Sequence, residues 1–177
     1  MGANLKILVH GRPGVGKTTL IKKILGRLKD KAEGFYTEEI KEVGKRLGFR
    51  IKTLDGKQAI LGHINFKSPN QVGKYGVNLE EFERVALPPL EKALTEGNMV
   101  VIDEIGKMEL FSGRFQNLVK KILDSSAPVL ATIGKSAHPF ISKVLKRSDI
   151  YRVEITPANR DDLVSKLARL IETKTEY

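Results

Sequence analysis

One octapeptide, Gly11-Arg12-Pro13-Gly14-Val15-Gly16-Lys17-Thr18, constrains this chain more than any other stretch. Gly11 and Gly16 are separated by four residues and followed by Lys and a hydroxyl residue, the spacing of a phosphate-binding loop. Such a loop turns successive backbone N–H groups inward around an anion. Side chains at the glycine positions would block either that turn or the ligand's approach. Lys17 adds a mobile positive charge for the β and γ phosphates, and Thr18 offers a hydroxyl to a Mg²⁺ ion. The helix that begins there, carrying Thr19, points its positive dipole end at the same phosphates. A glycine turn can match this spacing by accident, so the flanking context decides. Leu5-Lys6-Ile7-Leu8-Val9 reads as a short buried strand, and Leu20, Ile21, Ile24, Leu25 and Leu28 recur at helical spacing from Thr18 to about Lys29. Strand, loop and helix arrive in the order the motif requires.

A length of 177 residues suits one domain with a proper core. The sequence has neither an apolar run long enough for a bilayer nor a signal-peptide core, so a soluble cytoplasmic protein without a membrane partner is expected. No cysteine is present, which excludes thiol chemistry, and His10, His63 and His138 lie too far apart for a local metal motif. The formal charge of +10 invites a nucleic-acid reading. Against it, Lys and Arg are spread along the whole chain, in short clusters such as Lys45-Arg46 with Arg50 and Lys52. Tryptophan is absent and aromatics total 6%, leaving Phe35, Tyr36 and Phe49 as a stacking platform. A positive field that draws in nucleoside triphosphates explains the same charge, and nucleic acid ranks second to them as a partner.

The second informative stretch is Met99-Val100-Val101-Ile102-Asp103-Glu104, a continuous apolar run ending in two carboxylates. A central parallel strand reads this way when both faces are covered and its C-terminal end opens into a site. By itself such a run is a strand meeting a solvated loop. Paired with the phosphate loop, Asp103 fits the metal-holding Walker B role and Glu104 a base or positioning group for attacking water.

Between these motifs, residues 34–40 and 48–53 are strand-like around a turn at 42–45, predicting a hairpin, and Gln58–Leu61 adds a short strand after a turn at 54–57. Phe66 to Gly76 shows no period and reads as a loop. Asn78 caps a helix with Glu81 as its capping-box partner, and Pro88-Pro89 predicts a kink or break within it. Ser112 caps a helix with Phe115, Leu118, Val119, Ile122 and Leu123 inward, and Pro128–Ile133 is another buried strand. Thr132 or Lys135 near its end is placed to sense the γ-phosphate, against plainer readings as a core threonine and a solvated lysine. His138-Pro139 opens a short helix, Tyr151–Ile155 is a strand, and Thr156 or Asn159 caps a last helix whose first residue is Arg160. This alternation predicts a three-layer, mainly parallel α/β sheet of the RecA-like P-loop type, one domain over residues 1–177 with a hairpin-and-loop insertion over 34–76.

The combination of Gly11–Thr19, Gly34-Phe35-Tyr36-Thr37-Glu38-Glu39, Gly73–Asn78, Asp103-Glu104-Ile105-Gly106-Lys107-Met108-Glu109 and Asn159-Arg160-Asp161 resembles the thermophile nucleoside-triphosphatase family, which includes an animal relative called cancer-related nucleoside triphosphatase. The resemblance spans nearly the whole chain, and the Asp103–Glu109 string is its most specific part. It implies Mg²⁺-dependent hydrolysis of the terminal phosphate of ATP, GTP and other nucleoside triphosphates with little base selectivity. It also implies that the phosphate loop and the strand from Val100 through Gly106 line the nucleotide site, Val101, Ile102 and Ile105 included. On this reading Lys17 and Glu104 are catalytic, Thr18 and Asp103 serve the metal, and Arg160 is a candidate to pack over the base, against the plainer reading that it faces solvent. Two rivals share the motifs: a kinase that hands the phosphoryl group to an acceptor, and a switch whose hydrolysis needs bound nucleic acid. Arg12 and Arg160 are the arginines available to stabilise the transition state; without either, turnover is expected to be slow. The oligomeric state is not legible.

Overall fold

The computed structural model describes residues 5–28 and 32–175. Its nine strands form one sheet in the order β5-β6-β4-β3-β2-β7-β8-β1-β9. The parallel part comprises β9 (Tyr151–Glu154), β1 (Lys6–His10), β8 (Val129–Ile133), β7 (Met99–Ile105) and the start of β2 (Ala32–Glu42). β8 therefore separates the strand that precedes the phosphate loop from the strand that carries Asp103, which is the RecA-like arrangement the sequence predicts.

The near-continuous apolar composition of these strands follows from helices covering both faces. On one face Leu8, Val100, Ile102, Val129 and Ala131 pack against α2 (Leu79–Glu96), α3 (Gly113–Asp124) and α4 (Pro139–Leu145). On the other, Ile7, Val9, Val101, Leu130 and Val153 pack against α1 (Lys17–Leu25) and α5 (Arg160–Thr175). α1 ends at Leu25 with Gly26 as its C-cap; Lys29, where the periodicity suggested an end, lies outside the described residues.

The hairpin is not a separate insertion. Ala32–Phe35 of β2 pair in parallel with β7, and Phe35–Glu42 pair antiparallel with β3 (Lys45–Thr53), so one long strand joins the parallel core to an antiparallel wing. β4 (Gln58–His63) continues the wing. The expected loop over 66–76 contains a two-residue hairpin, β5 (Gln71–Val72) and β6 (Tyr75–Val77), too short to leave a period in the sequence. At the tip of the β2–β3 hairpin both Val43 and Gly44 have positive φ, as a two-residue turn between twisted strands requires.

Both predicted N-caps form, with Asn78 Oδ1 accepting from the Glu81 N–H at 3.2 Å and Ser112 Oγ from the Phe115 N–H at 3.0 Å. The capping box at Asn78 does not close, because the Asn78 N–H donates to the Leu61 carbonyl and the Glu81 carboxylate accepts from Arg84. The predicted break at Pro88-Pro89 does not occur, and α2 runs through both prolines. Two backbone donors are lost there, but Val85, Ala86, Leu87, Pro89, Leu90 and Ala93 are buried on the same helix, and this packing outweighs the loss.

Phe35 of β2, Phe82 of α2 and Phe115 of α3 form the densest part of this layer. All are fully buried, with centroids 5.3–6.2 Å apart and the two closest pairs edge to face. Phe82→Ala opens a cavity where three elements meet and is expected to cost about 3–5 kcal/mol. Urea unfolding checks this, with a lower midpoint at an unchanged slope as the expected result.

Candidate active site

The phosphate loop runs from the end of β1 to the start of α1. A Cβ on Gly11 would lie 2.7 Å from the Ile155 carbonyl oxygen, so only glycine lets the loop leave the sheet beside the end of β9. Gly14 (φ 74°) and Gly16 (φ 111°) hold conformations that L side chains avoid. Gly16 occupies the N-cap position of α1 and has no side chain to cap it, which leaves first-turn amides facing the loop's concavity. Lys17 Nζ donates to the carbonyls of Gly11 and Arg12, both at 3.2 Å, and lies 3.9 Å from Glu104 Oε2.

Asp103 ties four elements together. Its Oδ2 accepts from the Thr18 hydroxyl at 2.7 Å and the Thr37 N–H at 3.3 Å, and its Oδ1 accepts from the Thr132 hydroxyl at 2.6 Å. The Thr37 hydroxyl donates to the Asp103 carbonyl at 2.6 Å. The β7–β8 register shifts between Ile102 and Ile105, across Asp103 and Glu104. Such an irregularity re-aims side chains at a strand end: Asp103 turns into the network and Glu104 into the cleft. Thr132 is buried and engaged with Asp103. This matches its plainer reading as a core threonine, though a polar one.

The cleft has a volume of about 700 Å³. Pro13, Gly14, Gly16, Lys17, Thr18 and Thr19 line it from the loop, Asp103 and Glu104 from β7, and Lys135 from the segment after β8. Its far wall is the antiparallel wing, through Thr37, Glu39, Arg46, Phe49 and Leu61. Several expected site residues lie elsewhere. Val100, Val101 and Ile102 are interior, at 0–1% exposure, because the strand that carries the carboxylates is covered on both faces until its last residues. Ile105 and Val15 are also core residues. Arg12 is exposed and contributes only its carbonyl to Lys17. Arg160 borders a smaller pocket with Gly16, Thr19 and Lys23.

Sequence reasoning assigned no role to Thr37, Lys107 or Glu109. Thr37 reaches Asp103 only because β2 pairs with β7, which no local pattern announces. Glu109 opens the single 3₁₀ turn Glu109–Phe111 and is 4% exposed on the cleft wall. A Cβ on Gly106 would lie 2.8 Å from both Glu104 Oε1 and Glu109 Oε2, so the two carboxyl groups meet over this glycine.

All three carboxyl groups are raised above their ordinary values. Burial pushes Asp103 up, opposed by its hydroxyl and amide donors and by the charge of Lys17. Burial pushes Glu104 up, opposed by Lys17 and reinforced by Asp103. Glu109 is shifted furthest, by burial and then by the charge of Glu104. In folded protein Glu109 holds its proton to higher pH than in the unfolded chain, so its contribution to stability is full below the ordinary glutamate value and is lost as pH rises through the folded one. Glu109→Gln cannot ionise and escapes that loss. Its Tm relative to the parent is expected to improve as pH rises above the ordinary glutamate value, and parallel melting curves for the two proteins test this.

The oxygen donors Thr18 and Asp103 meet at one point and suit a hard, hydrated cation such as Mg²⁺, which keeps several waters and shares substrate phosphates. Among the described residues no group of three or more His, Cys, Asp or Glu could hold a metal ion by itself. No described helix is long and apolar enough to cross a membrane.

Comparison with known proteins identifies the family. The sequence profile described as NTPase matches residues 6–168. The nucleoside-triphosphatase THEP1 of Thermotoga sp. (strain RQ2) is 50% identical over 168 residues, covering 95% of this chain and 96% of that protein. The crystal structure of THEP1 from the hyperthermophile Aquifex aeolicus superposes with a TM-score of 0.89 at 44% identity, covering 95% of this chain and 99% of the other. The solution structure of a human cancer-related nucleoside triphosphatase gives 0.82 at 35% identity, covering 96% and 98%. With a matched profile over most of its length and full-length relatives at this identity, the chain belongs to the NTPase family.

Proposed function

We propose that this protein hydrolyses nucleoside 5′-triphosphates, ATP and GTP among them, to nucleoside diphosphate and phosphate with little base selectivity. The observation that carries the reading is the convergence of Lys17, Thr18, Asp103 and Glu104 at the mouth of one cleft. A hydrolase needs charge neutralisation, a metal-holding pair and a group that orients water, and these residue types supply each. Relatives named nucleoside-triphosphatase support it.

In this mechanism the loop amides and Lys17 bind the β and γ phosphates. Glu104 holds the attacking water and takes its proton as the oxygen bonds to the γ-phosphorus, and the bond from that phosphorus to the β–γ bridging oxygen breaks. Mg²⁺, carried on Thr18 and Asp103, neutralises phosphate charge when bound. Thr37 and Thr132 fix the Asp103 carboxylate, so its position does not depend on the ligand.

Glu104→Gln keeps the side chain's size and reach but cannot accept a proton. Mg²⁺-ATP binding is expected to survive, while hydrolysis falls by roughly 10²–10⁴, the usual worth of a placed general base. Lys17→Ala is expected to lose affinity as well as rate, since its charge serves the ground state too. A Glu104→Gln variant that hydrolyses ATP at close to the parent rate removes Glu104 from the mechanism.

Base selectivity follows from what the site lacks in sequence: no Asn-Lys-x-Asp string is present to hydrogen-bond guanine. GTP, CTP and UTP are expected to compete with ATP within about a hundredfold of one another, since a larger preference needs more than ~2.7 kcal/mol of base-specific contact.

A further inference from the structure

Breaking the bond to the γ-phosphorus spreads negative charge over that group, and an arginine finger that meets it is worth about 10³–10⁵ in kcat. Neither arginine offered by the sequence lines the cleft: Arg12 is exposed and outside its lining, and Arg160 borders the smaller pocket with Gly16. The lysines and arginine that do line the cleft fall into two groups. Lys17 is engaged by two carbonyls, and Lys41 and Arg46 are paired with Glu39, Arg46 also donating to the Tyr75 hydroxyl. Lys107 and Lys135 are exposed and form no ion pair or hydrogen bond among the described residues.

Two glycines fix where these lysines start. A Cβ on Gly106 would lie 2.8 Å from Glu104 Oε1, and one on Gly134 would lie 2.9 Å from the same oxygen. The Glu104 carboxylate is therefore held between two bare backbone segments, and the residues that follow those glycines are Lys107 and Lys135. One comes from the segment after β7, the other from the segment after β8. Each is one residue from the cradle of the group that faces the attacked phosphorus.

We propose that Lys107 and Lys135 are catalytic residues that contact the γ-phosphoryl group from the two segments cradling Glu104 and supply, in cis, the positive charge that an arginine finger supplies elsewhere. The proposal rests on the triphosphate reading of the site. A lysine suits this task because its ammonium is a compact charge on a flexible four-carbon stem. With no partner to leave, either ammonium turns inward at the cost of part of its hydration alone, and the phosphate oxygens replace it. The two lysines transfer no proton; the water's proton still goes to Glu104. The plainer alternative makes them part of a general positive field that speeds capture of an anion, an effect that appears in KM and fades with salt.

Steady-state hydrolysis of Mg²⁺-ATP, together with binding of ADP alone and of ADP with aluminium fluoride as a transition-state mimic, separates the two. Lys107→Ala and Lys135→Ala are each expected to lose about 10²-fold in kcat, the worth of one preorganised donor at developing charge. KM and ADP affinity should stay near the parent's, and the tightening produced by aluminium fluoride should be lost. Lys→Arg at either position should restore most of both. A double alanine variant with kcat within about threefold of the parent overturns the proposal, as does a loss confined to KM that disappears at high salt. If the parent itself releases no phosphate from any nucleoside triphosphate, the triphosphate reading fails instead. ADP–aluminium fluoride binding then still decides the lysines: tightening by the parent but not the variants supports them, and equal behaviour overturns them.

Discussion

The carboxylate of Asp103 accepts from Thr18 at the head of α1, from the Thr37 backbone in β2 and from Thr132 in β8, while Asp103 itself lies near the end of β7. At 1% exposure this carboxylate has no access to bulk water, so every lone pair used must be used by protein. That requirement makes it a fixed point: moving any one of the four elements would strand a buried acceptor, at a cost of about 1–3 kcal/mol or more for a charged group. The phosphate loop, the carboxylate strand and the wing are therefore held in one geometry by a single group. Its hydroxyl partner Thr18 is itself proposed to serve the metal.

The wing depends on the same arrangement. β2 is long enough to serve both parts of the sheet in succession, parallel beside β7 and then antiparallel beside β3. Thr37 lies just past the changeover, where it can reach Asp103, and Glu39 lies two residues further along the same face of the strand, on the cleft wall. Phe35, at the changeover itself, packs into the aromatic cluster with Phe82 and Phe115. One side of the strand thus carries core packing and then the cleft wall, so the wing is anchored by burial where it begins and shapes the site where it continues.

Charge within the cleft is sorted by position. Towards the wing, lysine and arginine are paired with Glu38 and Glu39, with Lys22 and Lys52 on Glu38 and Lys41 and Arg46 on Glu39. These pairs contribute little to stability individually, but they hold each of these cations on a carboxylate of that wall. Around Glu104 the balance differs. Glu104 and Glu109 converge over Gly106; burial raises both carboxyl groups, with the charge of Asp103 adding to the rise at Glu104 and that of Glu104 to the rise at Glu109, while Lys107 and Lys135 have no partner among the described residues. A triphosphate bound at the loop brings its negative end to the region where free positive charge is available.

Local sequence determined much of this protein. The spacing from Gly11 to Thr18 dictates a left-handed glycine turn before a helix, because backbone conformation at Gly14 and Gly16 admits no other residue type cheaply. The apolar runs at β1, β7 and β8 require two covering layers, and the caps at Asn78 and Ser112 follow from side chains that satisfy their own helix ends. Tertiary structure decided the rest, since it depends on pairing between distant segments. Nothing within 34–40 announces a parallel partner sixty-odd residues later, so the first hairpin strand reads as an insertion when it is part of the core. Pro88-Pro89 breaks a helix by local rules, yet burial of the residues around it holds α2 together. Val100–Ile102 belong to a strand whose end forms the site, but only the depth of the sheet puts their side chains in the core, while Asp103, itself buried, and Glu104 line the cleft. Thr37, Lys107 and Glu109 stand within family strings whose chemistry the local sequence does not spell out, and acquire their place because the strand ends that carry them, or lie beside them, meet at one edge of the sheet.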